Sequence, residues 1–288
     1  GLVPAHVVGS PLFGRAMVSS GFAVGGGIHA KSQNVAEQLA DAVWELAQSN
    51  TCPSVELRGG ALPLTSWIIK GDAHANFARP LTADNEAELL AIPRKQRAEV
   101  RKGLGFGHRV TVGRGPQDLA AHYACYSASL RNLGTPVFPK RLFAAMLGAF
   151  PDSSDILTVW DGETPLASVL SFYHDGVVMP FWGGGTFAAR AARANEVMYY
   201  ELMLHARRQG MSRFDFGRSK TGSGPFAFKK NWGFAPEPLT YGAWAAAGAP
   251  LRNIDPTDAS YSRKIVLWKK LPLPIANTLG PWIARGLA

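Results

Sequence analysis

A chain of 288 residues is too long for one small domain, and it fits two domains of about 100–150 residues each. Hydrophobic residues make up 47% of the chain and charged residues 18%, a composition that excludes intrinsic disorder. The formal net charge is +9, which favours partners such as phosphates, nucleic acids or anionic membranes.

Cysteine content and hydropathy narrow the class of protein further. The two cysteines, Cys52 and Cys125, are too few for a disulfide scaffold and match no zinc-binding spacing. No run of about 18 apolar residues is free of charged residues, so the sequence predicts no membrane span. We therefore expect a protein of a reducing, cytoplasmic environment that holds no metal ion.

Strands and helices alternate in the first third of the chain. The predicted elements are, in order, strands at 2–8 and 22–27, a helix over 34–48, and strands at 54–58 and 67–70. The helix is predicted from an apolar stripe on one face, and the strand before it ends in the glycines Gly25 to Gly27. Asp84 or Asn85 is expected to cap a further helix that Pro93 interrupts.

The second half begins with helices and continues with a meander of strands. The predicted elements are helices at 119–133 and 140–150, strands at 156–160, 166–173 and 177–182, a helix over 191–209 and a strand at 212–216. Asp161-Gly162 and Asp175-Gly176 predict tight hairpin turns. The strand at 177–182 leads into a second glycine triplet, Gly183 to Gly185.

Basic residues dominate residues 94–114, where Glu99 is the one acid. This run suits the phosphates of tRNA or CoA, or an anionic lipid surface; a solvated helix face is the simpler alternative. We place the domain boundary here, which gives domains of residues 1–112 and 113–288.

An internal repeat relates the two domains. A strand, a glycine triplet, a helix and a strand occur in both, and the offset between the triplets equals the offset between the following strands. The first copy has far fewer residues ahead of its triplet than the second. We therefore expect two related domains, of which the first is truncated at its N-terminus.

The last 30 residues, 259–288, contain five basic residues, no acidic residue and several large apolar residues. Such a stretch can lie on an anionic membrane surface. The alternative is a C-terminal helix packed on the domain with a solvated basic face. Pro272 and Pro274 favour that alternative, because they interrupt any long amphipathic helix.

Two features are compatible with catalysis but have simpler structural explanations. A glycine turn between a strand and a helix, as predicted at Gly183, Gly184 and Gly185, can present backbone N–H groups to phosphate or to an oxyanion; it can also be a plain tight turn. Glu201 and His205 lie four residues apart on one helix face and can form a general base pair or a buried hydrogen-bonded pair.

The stretch 213–234 is the most specific candidate site. It begins as a strand, continues as a loop rich in glycine, and interleaves cationic with aromatic residues. Asp215 at the strand end can hold or deprotonate an attacking amine, and Lys229 can stabilise a carbonyl oxygen that becomes negative during acyl transfer. The expected substrate contacts are Arg218, Ser219, Lys220, Phe226, Phe228, Trp232, Gly183, Gly184, Gly185 and Glu201. The alternative for this stretch is a surface hairpin with basic residues and a tucked Trp232.

Residues 214–220 and 226–234 resemble the FemAB-related family, in particular its branch associated with PEP-CTERM/exosortase systems. Segments 195–203 and 97–103, and Phe13-Gly14 with the first glycine triplet, resemble the same family. The resemblance implies two tandem GNAT-like domains, each a mixed and mostly antiparallel sheet flanked by helices. It also implies that the pair Phe228-Lys229 contacts the reacting acyl group.

The same resemblance implies an acyltransferase without a tightly bound cofactor. Its co-substrate would be an acyl-CoA or an aminoacyl-tRNA, and its acceptor an amine or hydroxyl of an envelope or exopolysaccharide precursor. We expect this enzyme in the cytoplasm; peripheral contact with the inner face of the inner membrane is left open. The alternative from another class is a catalytically silent protein of the same fold that binds an anionic glycan or lipid.

Overall fold

The computed structural model describes residues 1–10, 14–21, 23, 25–63, 67–249, 251 and 259–286. Its strands are β1 (His6–Ser10), β2 (Gly14–Val18), β3 (Ser54–Arg58), β4 (Ile68–Asn76), β5 (Ala78–Pro80), β6 (Arg109–Gly113), β7 (Ser154–Asp161), β8 (Thr164–His174), β9 (Val177–Gly185), β10 (Arg213–Asp215), β11 (Ser219–Lys220) and β12 (Glu237–Ala245). Its helices are α1 (Gln33–Ser49), α2 (Asn85–Ala91), α3 (Arg94–Leu104), α4 (Pro116–Leu133), α5 (Lys140–Ala149), α6 (Ala188–Ala191), α7 (Ala194–Arg208), α8 (Gly224–Asn231), α9 (Ala259–Lys269) and α10 (Leu273–Ala284).

The chain packs into two compact units. The first contains residues 1–75, 237–262 and 282–288, and the second contains residues 76–236 and 263–281. The bounds of the two units follow from how the chain packs. The boundary after residue 112 follows from the sequence repeat, and it stays a prediction.

The first unit is built on strands in the order β1-β2-β3-β12-β4. Strands β2 and β3 are parallel, with Met17 opposite Val55, and α1 connects them. Ser32 caps α1 by accepting a hydrogen bond from the Val35 amide. The apolar stripe of α1 predicted from the sequence is buried on β3, and its buried residues are Ala36, Ala40, Val43 and Ala47.

One strand prediction in this unit is wrong. Residues 25–27 are not part of a strand, and the strand that precedes α1 is β2, which ends at Val18. Residues 22 and 24 of the predicted strand, like Phe13, lie outside the described residues. At Gly27 a side chain would overlap the carbonyl of Gly59, so close backbone packing explains this glycine.

The second unit contains one sheet in the order β5-β10-β9-β8-β7-β6. Its centre is a long antiparallel meander, and the predicted turns at Asp161-Gly162 and Asp175-Gly176 connect β7 to β8 and β8 to β9. Strand β10 is parallel to β9 but pairs with it at only two positions, which place Arg213 opposite Val177 and Phe214 opposite Val178. Strand β9 continues to Gly185 beyond this pairing.

Both units therefore contain a parallel strand pair joined by a helix, β2-α1-β3 in the first and β9-α7-β10 in the second. This confirms the prediction of two related mixed α/β units. A connection between parallel strands needs a crossover element, and a helix supplies it in each unit.

The C-terminal residues form two helices rather than one. Helix α9 ends at Lys269 and α10 begins at Leu273, so the chain is non-helical at Pro272, as its missing N–H predicts. Within the described ranges, none of the helices combines the length and the apolar character needed to cross a bilayer.

Candidate active site

The stretch singled out in the sequence, 213–234, follows the parallel strand pair of the second unit and is partly helical. After β10 and the short strand β11, residues 224–231 form α8. The predicted continuous loop is therefore wrong for these eight residues. Ser223 caps the helix by accepting from the Phe226 amide at 3.3 Å, and Pro225 lies in its first turn.

Lys229 lies on α8 with its side chain buried, only 9% exposed. Its Nζ donates hydrogen bonds to the carbonyls of Gly217 and Arg218, both at 2.9 Å. The same Nζ lies 5.5 Å from the centre of the Phe77 ring, which adds a cation–π contact. Helix α8 thus holds a cationic group against the turn that follows β10.

The electrostatic environment of Lys229 makes its charge titrate near neutrality. Burial lowers its pKa from an ordinary value of 10.5 to about 8, because desolvation disfavours the ammonium. The carboxylate of Asp215 opposes this shift, and the guanidinium of Arg218 adds to it. A lysine of this kind can act as a cation or give up its proton close to physiological pH.

Asp215, the last residue of β10, fixes the turn in front of Lys229. Its Oδ1 accepts from the amide of Gly217 at 2.7 Å, and its Oδ2 accepts from Nδ2 of Asn76 at 3.3 Å. The first bond is an Asx turn, and Gly217 takes the left-handed conformation with φ of +68°. Asn76 was not among the residues predicted from the sequence, because it lies far from the motif in the chain.

Aromatic rings surround this turn. Phe226 packs edge-on against Phe77 at 5.1 Å and Phe228 lies 5.6 Å from Tyr199; both are half-buried. Trp232 is fully buried 6.1 Å from Tyr199, so it shapes the site from the core side. Burial raises the pKa of the Tyr199 hydroxyl to about 12. The sequence predictions missed Tyr199 as part of this cluster.

The remaining polar residues of the motif lie on β11 and just before it. Ser219 is buried, and its hydroxyl has no hydrogen-bond partner among the described residues. Arg218 and Lys220 are half-buried. The next cation along, Lys230, is exposed, and its Nζ lies 5.9 Å from the Phe226 ring. Lys229 is therefore the buried cation of the motif.

The second glycine triplet forms the end of strand β9 and not the predicted turn. Gly183, Gly184 and Gly185 are the last residues of β9 and pair with Val169, Ser168 and Ala167 of β8. Each is packed tightly: a Cβ would lie 3.1 Å from the Tyr199 hydroxyl at the first, 2.6 Å from Ser129 at the second and 2.5 Å from Asn195 at the third. Packing alone explains these glycines, and their role in substrate binding stays a prediction.

The pairing of Glu201 with His205 does not form. His205 Nε2 is 2.8 Å from Oδ2 of Asp155, and the Tyr173 hydroxyl donates to Oδ1 of the same carboxylate at 2.7 Å. Glu201 is half-buried, and burial raises its pKa while Arg208 opposes that shift. Asp155 lies 50 positions away in the chain, so helical spacing could not identify it as the partner of His205.

This geometry is suited to stabilising negative charge on an acyl group. Two N–H groups of Lys229 are used by carbonyls, which fixes the ammonium and leaves one N–H for a ligand, as far as the described residues extend. Among the residues that the structure describes, no group of three or more His, Cys, Asp or Glu side chains could hold a metal ion.

Comparison with known proteins agrees with this fold. Residues 93–230 match the family model of the acetyltransferase (GNAT) domain. No curated protein matches the chain by sequence. Among solved structures, FemX is similar with a TM-score of 0.61 at 14% identity, over 84% of each chain. The C-terminal domain of a candidate lysylphosphatidylglycerol synthetase from Agrobacterium fabrum has a TM-score of 0.56 at 13% identity, over 84% of this chain and 85% of that domain.

A tandem GNAT protein from the clavulanic acid biosynthesis pathway has a TM-score of 0.53 at 10% identity, over 82% of this chain and 76% of its own. Such identities establish a common fold, and they confirm the FemAB-like resemblance at that level. The family model includes β10, Asp215 and Lys229. Residues 93–230 therefore match a GNAT acetyltransferase domain, and the chain has a fold similar to that of FemX and of a tandem GNAT protein.

Proposed function

We propose that this protein transfers an acyl or aminoacyl group from an activated donor to an amine or hydroxyl of an envelope or exopolysaccharide precursor, in the context of a PEP-CTERM system. One observation carries the proposal: a buried lysine, Lys229, held by two backbone carbonyls beside the Asp215 carboxylate at the end of β10. This arrangement lies inside the segment that matches the GNAT family model.

The proposed reaction uses Lys229 as an electrostatic catalyst. The acceptor attacks the acyl carbonyl carbon, the carbonyl oxygen becomes negative, and the free N–H of Lys229 stabilises that oxyanion. The C–O bond of a tRNA ester or the C–S bond of a thioester then breaks, and the acceptor's proton passes to the leaving group. Asp215 fixes the turn, keeps Lys229 charged and orients the acceptor amine.

The donor is a co-substrate, either an acyl-CoA or an aminoacyl-tRNA. GNAT domains generally use acyl-CoA, whereas the fold shared with FemX and with the candidate lysylphosphatidylglycerol synthetase supports an aminoacyl donor. Helix α3 supports a phosphate-bearing donor of either kind, because its exposed residues include Arg94, Lys95, Arg101 and Lys102. If tRNA binds there, its affinity should fall steeply as salt increases.

The other predicted contacts complete the proposed site. Arg218 and Lys220 would neutralise an anionic group of the substrate, Ser219 would supply a hydroxyl, and Phe226 and Phe228 would line the acyl group. Among the other predicted contacts, Trp232 is fully buried and would support Phe228 from the core side, whereas Glu201 is half-buried on α7.

A donor screen tests the proposal. The full chain is incubated with acetyl-CoA, longer acyl-CoAs and aminoacyl-tRNA, each with and without an amine acceptor. The expected result is that one donor class raises the melting temperature and is consumed, seen as free thiol or as deacylated tRNA. If an anionic glycan or lipid stabilises the protein while no donor is consumed, the catalytically silent alternative is correct and the proposal fails.

A further inference from the structure

Small and polar residues pack the C-terminal helix α10 on the second unit. On α10, Ala276 and Gly280 are buried, and a Cβ at Gly280 would lie 2.8 Å from the backbone nitrogen of Val137. Beside them Nδ2 of Asn277 donates to Oγ of Ser127 at 3.4 Å. Small and polar side chains thus form the packing face of this helix.

Helix α9 is anchored in a similar way at the end of α4. Ile265 lies over Gly134, where a Cβ would be 2.5 Å from its Cγ2. The guanidinium of Arg131 donates to the carbonyl of Leu271, directly after α9, at 3.1 Å. These contacts fix which side of α9 faces the protein.

The outward faces carry the large apolar residues. Val266 and Leu267 on α9 are 55% and 66% exposed, and Ile275 and Leu279 on α10 are 46% and 45% exposed. Ile275 and Leu279 are one turn apart, so they form a stripe, and Trp282 continues along the same helix at 57% exposure. A helix that only covers a core places such residues inward and polar ones outward, whereas here large apolar residues also lie on the exposed faces.

The charged residues within 259–288 all have one sign. Lys264, Lys269 and Lys270 are exposed on and beside α9, and residues 259–288 contain no aspartate or glutamate. Exposed apolar side chains among lysines are typical of helices that lie in the interface of an anionic bilayer, where the apolar residues enter the acyl boundary and the lysines meet lipid headgroups. A second copy fits less well, because its own lysines would face these.

We propose that α9 and α10 form a lipid-binding surface that docks the protein peripherally on an anionic bilayer. The apolar part consists of Val266, Leu267, Ile275 and Leu279, and the electrostatic part of Lys264, Lys269 and Lys270. The proposal is independent of the acyl-transfer chemistry, because neither Lys229 nor Asp215 takes part in it.

Vesicle binding by the full chain tests this surface. A flotation assay compares two kinds of vesicle. One contains phosphatidylcholine with about 30% phosphatidylglycerol, an anionic lipid; the other contains phosphatidylcholine alone. The pair Ile275→Glu and Leu279→Glu should lower partitioning at least about tenfold, because apolar burial is lost and repulsion is added. The pair Lys269→Gln and Lys270→Gln should lower it about fivefold for each lysine, an effect that salt reduces.

A matched control separates this effect from a general loss of folding or solubility. Leu90 on α2 is 52% exposed, so Leu90→Glu makes one substitution of the same kind at a comparably exposed site elsewhere. It should bind vesicles like the wild type, and all variants should keep the wild-type melting temperature within a few degrees. The Lys229→Ala protein should also bind vesicles normally, whatever the result for acyl transfer.

Three results would overturn the proposal: equal binding to neutral and anionic vesicles, equal loss in the Leu90→Glu control, or no vesicle binding by the wild type. If the wild type is instead a dimer that the Ile275→Glu, Leu279→Glu protein cannot form, the surface binds a second copy and the lipid assignment is wrong.

Discussion

The chain contains the same strand–helix–strand arrangement twice, and the two copies differ where the last strand ends. In the first unit, β3 ends at the buried Arg58, whose Nε lies 2.7 Å from Glu56, and two glycines follow. A side chain at Gly60 would overlap the backbone of Ile28, so main chain packs closely where β3 exits. In the second unit, β10 ends at Asp215, and a Cβ at Gly217 would meet no atom within 4 Å.

This difference supports the proposal that the second copy of the arrangement carries the acyl-transfer chemistry. At the end of β3 the Arg58 guanidinium pairs with the carboxylate of Glu56, and the backbone of Ile28 packs closely against Gly60. At the second exit the cation comes from a helix later in the chain, and carbonyl oxygens hold it in place of a full ion pair. We propose that this charge acts on a substrate, and the experiments below test this contrast.

The largest effect is expected at Lys229. Lys229→Ala should lower the rate of acyl transfer by about 10²–10³-fold, the loss found when one oxyanion donor is removed. Lys230→Ala is the matched control, because Lys230 is adjacent but exposed, and its rate should stay within about threefold of the wild type. Equal rates for the two variants would mean that the buried lysine has no catalytic role.

Asp215→Asn should have the next largest effect, a rate loss of about tenfold at pH 8. The carboxylate raises the pKa of Lys229, so its removal lowers that pKa further and reduces the charged fraction. The loss should shrink at pH 6.5, where Lys229 is charged in both proteins. A deficit that does not change with pH would show that Asp215 does not act through the charge of Lys229.

The two exits should also respond differently to added methyl groups. Gly60→Ala should lower the stability by well over about 1 kcal/mol, because it combines a φ of +73° with overlap on Ile28. Gly217→Ala should lower the stability by about 1 kcal/mol, because only the backbone conformation opposes the added methyl group. It should also reduce activity, because the carbonyls of Gly217 and Arg218 hold Lys229. Chemical denaturation measures the loss of stability, and the rate per folded molecule measures the loss of activity. A larger loss of activity in Gly60→Ala than in Gly217→Ala would contradict the comparison.

Glu201→Gln should have the smallest effect, with activity within about twofold and stability within about 0.5 kcal/mol of the wild type. Glu201 is not the partner of His205, which bonds to Asp155 instead. A large loss of activity would place Glu201 in the site after all, and the pH dependence of the remaining activity would then show whether it acts as a base.

Much of the fold follows from local patterns in the sequence. The stripe of α1, the Asp84 cap of α2 and the Asp-Gly turns around β8 depend on neighbours within a few residues, and all were predicted. Gly27 and the glycines at 183–185 were misinterpreted because the contacts that require them are distant in sequence: the backbone of Gly59 for Gly27, and side chains of α4 and α7 for the second triplet. Sequence spacing carries no information on such contacts.

The candidate site also combines features that neighbouring residues predict with features that depend on distant segments. Local reasoning placed Asp215 and Lys229 in one motif, but the helix α8 that positions Lys229 was missed, although Ser223 and Pro225 are ordinary signals of a helix start. Asn76, Phe77 and Tyr199 could not be assigned to the site from spacing. They come from other segments that tertiary packing brings to the turn.

The pH dependence of the acyl-transfer rate tests the central claim most directly. If the charged form of Lys229 stabilises the oxyanion, the rate under saturating donor should fall as the pH rises through about 8, the pKa of this lysine. Lys229→Arg keeps a cation that does not titrate in this range, so its residual activity should lose the fall near pH 8. A wild-type rate that stays level or rises from pH 7 to 9.5, or an unchanged fall in Lys229→Arg, would contradict the account.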